Sequence, residues 1–370
     1  MTGDATMLDE LSDLASADDG GVTTFAPLSV DEAVRVVEAL AKAETTALTV
    51  GSGSTFEGLP PPDAELRLTS AAFVGITDYQ PDDLTVVVNA GTTLAELSAT
   101  LEAEGQTAVL PEMDLHRTIG GVVSEGASGY RRLRYGPTRD RVLGVTLVTG
   151  YGKRIVGGGH LVKNVTGYDL PRLCTGSHGT LGFIADVCLK LWPVPPVALT
   201  IDVDDADEAR LRAYKPLAVL ETADSVQVMV EGSEASVSEA ERTLGGSSRS
   251  VLVWPERPSG SVTVSLRVPA SSTSAAVSVV RGASAEQFVA QHGVGRVDAS
   301  FGALSPESLA ELRSRIREVG GVVVITGWNS HDPLPDRWGF VPDGDEISAR
   351  LTSLFDPAGV FRIGQLPGGL

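Results

Sequence analysis

Ala47-Leu-Thr-Val-Gly-Ser-Gly-Ser-Thr55 carries a short apolar run straight into a loop of alternating glycine and serine. The run reads as a strand, and the loop as a place where backbone comes close to something else. Glycine lets N–H groups approach an anion with no Cβ in the way, and Ser and Thr hydroxyls add donors. Three more such segments follow: Thr118-Ile-Gly-Gly121, Gly126-Ala-Ser-Gly129 and Gly176-Ser-His-Gly-Thr-Leu-Gly182. Any one of them reads as a tight turn. Four between Gly51 and Gly182, each beside an expected strand or helix start, point to an extended phosphate-bearing ligand such as a dinucleotide. A Rossmann site is excluded, because Phe56 stands where the third glycine is due and no acidic residue closes a βαβ unit about 20 residues on.

Outward from the loop, Ser29 and Glu32 have capping-box spacing ahead of Val30, Ala33, Val34, Val37, Leu40 and Ala41, which predicts a helix. Leu84–Val88 reads as a strand, and Thr93 with Glu96 opens a second helix stopped at Gly105. Val142–Val148 and Arg154–Val156 flank a Thr149-Gly-Tyr-Gly152 turn and read as a hairpin. Phe183, Ala185, Val187, Leu189 and Leu191 alternate with polar residues, predicting a strand with one buried face. Trp192-Pro193 and Pro195-Pro196 mark a boundary. Beyond it, strand-like runs (Leu199–Val203, Val226–Val230, Val262–Val268, Val322–Thr326) alternate with helical ones (Ser236–Leu244, Ser305–Val319). That alternation suggests a small α+β domain of ferredoxin-like type.

The 370 residues suffice for two packed domains. Lys and Arg total 29 against 48 Asp and Glu, a net charge of −19, which offers no basic stripe for nucleic acid. Cys174 and Cys188 make neither a disulfide framework nor a metal cluster and fit a reducing compartment. An acidic N-terminus without an apolar run, and no stretch of 18 apolar residues, predict a cytoplasmic protein without direct membrane insertion, any membrane association running through partners.

The run Lys163-Asn-Val-Thr-Gly-Tyr-Asp-Leu170, with Gly176-Ser177, Gly179-Thr-Leu-Gly182, Leu189-Lys-Leu191 and Pro193, resembles the glycolate oxidase flavoprotein subunits. So do Leu110-Pro111, Thr118-Ile-Gly-Gly121, Ala127-Ser-Gly129 and the tail Phe355-Asp-Pro-Ala-Gly-Val360. These subunits belong to the vanillyl-alcohol oxidase and p-cresol methylhydroxylase-type (PCMH-type) superfamily, and the short length and thin centre look most like the FAD-binding E subunit. The resemblance implies an α+β chain: an acidic disordered tail (1–22), a PCMH-type FAD-binding domain (23–196), an inserted small ferredoxin-like cap (197–330) and a C-terminal segment returning to the FAD domain (331–370). It implies non-covalent FAD, with the pyrophosphate along Gly51, Ser52, Gly53, Ser54 and Thr55 and along Thr118, Ile119, Gly120 and Gly121. Pro111, Ser124, Ser128, Gly129, Gly179, Thr180, Gly182 and Ile184 are implied around the ribityl chain, isoalloxazine or adenosine. Implied at the level of a complex are a 2-hydroxy acid such as glycolate or D-lactate, a catalytic flavoprotein subunit and an iron–sulfur subunit.

Two departures matter. The His-rich metal and substrate motif of catalytic relatives does not occur: His116, His160, His178, His292 and His331 are scattered without ligand spacing, so no metal site is expected and no catalytic base can be read. The closing segment reads Arg362-Ile363-Gly364 where the family has Asn-Pro-Gly. Arg131, Arg132, Arg134 and Arg139 cluster after the Gly129 loop, either as surface charge or facing an anionic substrate, the flavin phosphates or an acidic partner. Lys163 either reaches the flavin or pairs with a carboxylate. Trp328, His331, Arg337 and Trp338 are candidate pocket walls, and Tyr168 reads as core. A stand-alone oxidoreductase and a non-catalytic scaffold remain the alternative functions.

Overall fold

The computed structural model describes residues 11, 13–17, 22–60, 62, 64–159, 168–329, 332–362 and 366–368. His160, Lys163, His331 and Ile363-Gly364 lie outside the described residues. The described residues form a mixed α/β structure of three main sheets.

The first sheet runs Ala15–Ala17, Thr23–Phe25, Leu66–Thr69, Ala47–Val50, parallel at its last two pairings. The second is antiparallel, in the order Ile76–Gln80, Thr85–Asn89, Phe183–Lys190, Val142–Val148, Arg154–Gly158. Helix Val30–Lys42 starts as its sequence requires: the Ser29 side chain accepts from Glu32 N–H, and Ala33, Val36, Val37, Ala39 and Leu40 are buried. The expected N-terminal tail is not free throughout. Ala15–Ala17 pairs with Thr23–Phe25, and buried Leu11 joins the core around helix Val30–Lys42, because apolar surface was available within the acidic stretch.

Strand Phe183–Lys190 corrects the single-faced reading. Its pairing with Val142–Val148 shifts register between Ile184 and Asp186, leaving Ala185 as a bulge. The bulge changes which face each later side chain takes. Phe183 and Ala185 therefore join the core of helix Val30–Lys42, whereas Ile184, Val187 and Leu189 join that of helices Leu94–Ala103 and Ile119–Glu125. One strand serves two cores.

Beyond the boundary lies one antiparallel eight-stranded sheet, larger than the small domain read from sequence. Val197–Val203, Ala206–Arg212, Ala218–Glu221, Val226–Gly232, Glu234–Leu244 and Ser247–Arg249 make a first βαββαβ unit. Val262–Arg267, Thr273–Gly282, Gln287–Gln291, Arg296–Phe301, Pro306–Glu318 and Val322–Trp328 make a second. Ala218–Glu221 and Gln287–Gln291 pair to fuse the two. The middle strands of the sheet dock on the first lobe through Tyr130, Leu217, Leu220, Met229 and Val289, with Tyr130 stacked on Trp254.

Near the C-terminus the chain returns to the first lobe: Val360 and Phe361 are buried beside Val148 and Phe183, and Ala47 N–H donates to the Val360 carbonyl at 2.8 Å. Fully buried Asp356 fixes this return, accepting from Val360 N–H (2.9 Å) and Phe361 N–H (2.8 Å). Gly150 packs directly on it, for a Cβ there would stand 1.9 Å from Asp356 Oδ1 and 2.8 Å from its Cα. Among the described residues no helix is long and apolar enough to cross a membrane. Gly150→Ala is expected to destabilise the protein by about 1–3 kcal/mol through overpacking, read as a lower urea midpoint, whereas Gly159→Ala, with open space around it, leaves the midpoint unchanged.

Candidate flavin cleft and the arginine-lined cavity beside it

Strand Ala47–Val50 lies at the edge of its sheet, so the loop it feeds emerges at an open seam. Gly51 passes so close to Thr118 that a Cβ would stand 2.0 Å from its Oγ1. Gly53 has φ +78° with open space beside it, a conformation and a clearance suited to glycine. Among the described residues, none of the backbone N–H groups of Gly51, Ser52, Gly53, Ser54 and Thr55 has a hydrogen-bond partner. They border a cleft shared with Thr118, Gly120, Gly121, Ser124, Glu125, His178, Gly179, Gly182 and Ile184. Unpaired donors beside a concave space are what a pyrophosphate requires. The residues present therefore fit a bound dinucleotide.

The second glycine segment works differently from the sequence expectation. Ile119 N–H donates to the Thr92 carbonyl and Gly120 N–H to the Ala90 carbonyl, both at 2.8 Å, while Gly121 N–H donates to Thr118 Oγ1 at 3.2 Å. These donors are already paired within the protein. Gly120 allows the short helix to lie against Ala90, whose Cβ would be 2.7 Å from an added one. Thr118–Gly121 thus forms a wall of the cleft and supplies close approach rather than N–H groups.

Other expected contacts divide. Gly179 (φ +81°) sits against Thr49 Oγ1, 2.3 Å from where a Cβ would be, and lines the cleft with Gly182 and Ile184. Ile119 is fully buried in the core, and the Thr180 hydroxyl donates to the Ser177 carbonyl at 2.8 Å. Pro111, Ser128 and Gly129 line a separate crevice. There Glu112 occupies the space over Gly129, with Oε2 1.9 Å from an added Cβ, and accepts from Tyr130 N–H (2.8 Å) and Arg131 Nε (2.7 Å). Gly129 is glycine for Glu112.

Where the cleft opens, Arg117 and Thr55 Oγ1 both donate to Glu125, the Arg117 pair being very short. Burial raises the Glu125 carboxyl, but Arg117, His178 and Arg296 outweigh it and hold the group below its ordinary value. His178, in left-handed backbone (φ +51°), meets Trp338 edge-on at 5.5 Å between ring centroids. Burial, then nearby Arg337 and Arg267, push it down to about 4 against the pull of Glu125, so the imidazole is neutral at physiological pH.

Glu125 and His178 also border a larger cavity of about 540 Å³ between the first lobe and the eight-stranded sheet, with Arg132, Arg139, Arg267, Arg296, Arg337 and Trp338 in its walls. Of the sequence candidates, Arg337 and Trp338 fall here. Trp328 does not: it is core, its indole N–H donating to the Asp332 carbonyl at 2.9 Å. Tyr168, read as core, is 91% exposed. Arg131 pairs with Glu112, and Arg134 donates to the Glu231 carbonyl at 2.7 Å. Sequence reasoning missed Arg117, Glu125, Arg267 and Arg296. Arg296-Val297-Asp298 did carry a signal, since i and i+2 on a strand share a face.

Residues 23–158 match the FAD binding domain family. The chain is 33% identical to the glycolate oxidase subunit GlcE of Escherichia coli over 192 residues, 49% of this chain and 55% of that one. It is 33% identical to the glycolate oxidase subunit GlcD of Bacillus subtilis over 179 residues (48% and 38%), and 35% identical to a D-2-hydroxyglutarate dehydrogenase of Xanthomonas citri over 175 residues (46% and 36%). The alignments span about half or less of these relatives. A solved alkyldihydroxyacetonephosphate synthase superposes with TM-score 0.68 at 14% identity, covering 99% of this chain and 86% of that one. The chain therefore carries an FAD-binding domain over residues 23–158, FAD is its cofactor, and its fold is that of the solved synthase. More particularly, it is a flavoprotein related to glycolate oxidase subunits and to FAD-linked 2-hydroxy-acid dehydrogenases.

Gly51→Ala is expected to displace the loop from Thr118 and weaken FAD binding at least tenfold, about 1.4 kcal/mol, in flavin fluorescence titrations of the apoprotein, with far-ultraviolet circular dichroism unchanged. The depressed His178 also sets a pH dependence. Its folded value, about 4, lies below the ordinary 6.5, so the unfolded chain binds the proton more readily and stability rises with pH between the two. This contribution is complete above 6.5 and is lost as pH falls toward 4. Urea midpoints at pH 4.5 and 7 should differ less in His178→Asn than in the parent.

Proposed function

We propose that this chain is the FAD-binding subunit of a glycolate oxidase-like 2-hydroxy-acid oxidoreductase, passing electrons through its flavin to a partner. The five N–H groups of Gly51–Thr55, unpaired among the described residues beside the cleft, carry the reading. FAD, when bound, supplies two-electron acceptance from a hydroxy acid or a neighbouring flavin. On the protein side, Gly51–Thr55 hold the pyrophosphate, and Thr118 with Gly120–Gly121 shape the opposite wall. Gly179, Gly182 and Ile184 bound the rest of the cofactor. Neutral His178 offers a hydrogen bond without adding charge, and Arg117 keeps Glu125 ionised. The eight-stranded sheet acts as the cap, keeping water from the open side of the cleft. By likeness to the subunits named for glycolate oxidase, the partners are a catalytic flavoprotein subunit and an iron–sulfur subunit, with glycolate or D-lactate as substrate of the complex.

A second reading, a stand-alone FAD oxidoreductase, is favoured by one observation: the arginine-lined cavity adjoins the flavin cleft within this single chain. An absorbance spectrum of the purified protein, followed by anaerobic addition of glycolate and then D-lactate, separates the readings. Flavin bands that persist until the partner subunits are added support the subunit reading, and bleaching by the chain alone supports the second. A colourless protein that FAD cannot reconstitute overturns both.

A further inference from the structure

The large cavity beside the cleft has a charge pattern that the flavin reading leaves unexplained. Five arginines line it, from both lobes: Arg132 and Arg139 from the first, Arg267 and Arg296 from the sheet, and Arg337 from the segment after it. Glu125 is the one acidic residue in the same lining, and it is engaged by Arg117. Arg296 is satisfied, its Nε lying 2.9 Å from both Asp298 oxygens, and Arg139 has Asp140 at 3.9 Å. Arg132 and Arg267 have no hydrogen-bond or ion-pair partner among the described residues, and Arg337 has only the Ile325 carbonyl, at 3.3 Å from Nε.

Single exposed arginines are ordinary, and water satisfies them. Convergence is not, least of all in a chain with 48 acidic side chains against 29 basic ones. The adjoining cavity shows the contrast, because its four arginines face four carboxylates and Arg117, Arg257 and Arg296 pair there with Glu125, Asp114 and Asp298. In the larger cavity the arginines work against one another. Both side chains stay exposed to the cavity; partial desolvation, and then Arg296, still lowers Arg132 and Arg267 from the usual guanidinium range, against Asp140 at the first and Asp298 and Glu125 at the second. A chain that holds like charges together around a concave space gains from an anion placed among them.

We infer that the guanidinium groups of Arg132, Arg267 and Arg337, none of them ion-paired among the described residues, form a binding site for a small organic acid with a second anionic group, a carboxylate or a phosphate ester, beyond the first. The site rests on the flavin reading only for its role: it holds a multiply charged acid beside the cleft in preference to glycolate or D-lactate. Arg132 lies on the first lobe and Arg267 on the sheet, so one bound anion draws on both. A monocarboxylate would leave part of this charge unanswered.

Calorimetric titration of the protein as purified tests the site, with D-malate, 3-phosphoglycerate and D-lactate at one fixed ionic strength and flavin content read separately from the visible spectrum. Binding of D-malate or 3-phosphoglycerate at least tenfold tighter than D-lactate is the expected result, and the tighter of the two names the second acid group. In Arg132→Gln/Arg267→Gln that advantage should fall below threefold while flavin content stays that of the parent. Equal affinity for all three acids, no binding of any, or a preference that survives the double substitution overturns the site. Absence of flavin overturns the cofactor reading instead, and leaves the anion titration to be judged by itself.

Discussion

The approach of Gly51 to Thr118, too close for any Cβ to intervene, sets the geometry of the cleft. The strand before Gly51 ends at a sheet edge, so the loop has no neighbouring strand to take up its N–H groups. The helix after Thr118 has its first donors paired with Ala90, Thr92 and Thr118 itself. One side of the contact is thus rigid and saturated, the other rigid and open. An open loop held only by solvent would reorganise around any ligand at a cost in conformational entropy. Pressed against a saturated wall, it keeps its donors pointed at one place before the ligand arrives.

Charge is distributed with a similar asymmetry. The surface as a whole is strongly acidic, which favours solubility and repels anions at long range. Between the lobes the sign reverses along the larger cavity, where five arginines face one glutamate, whereas the adjoining cavity sets four arginines against four carboxylates. At physiological ionic strength the Debye length is about 8 Å, so an anion that reaches the mouth feels the local arginines far more than the distant carboxylates.

Much of this was legible in the sequence where local chemistry decides the outcome. The glycine loop at Gly51–Thr55, the capped helices behind Ser29 and Thr93, and Ser305-Pro306 as a helix start all take the form their residues dictate. Three kinds of feature were hidden. The bulge at Ala185 depends on a partner strand, and alternation alone cannot show the change of face. Ala218–Glu221, Gln287–Gln291 and helix Thr273–Gly282 are short or rich in Ser, Thr and Val, so the doubling of the βαββαβ unit did not declare itself. Glycine, finally, looks the same whether it makes room for a ligand or for the protein: Gly51 and Gly53 border the cleft, Gly120 fits Ala90, and Gly129 fits Glu112.

The loop does not stop at Thr55. Three residues on, the Gly58 carbonyl accepts from Trp328 N–H, and Leu59 is buried in the core of the second βαββαβ unit. The peptide whose free N–H groups border the cleft is therefore also a fastener between the lobes. Linkage makes such an arrangement reciprocal: if seating the cofactor steadies the loop, it tightens the contact between the lobes, and anything that tightens that contact raises cofactor affinity by the same factor. Cofactor loading and closure of the molecule then become one equilibrium, so that prising the lobes apart would release the flavin as surely as losing the flavin would slacken the lobes.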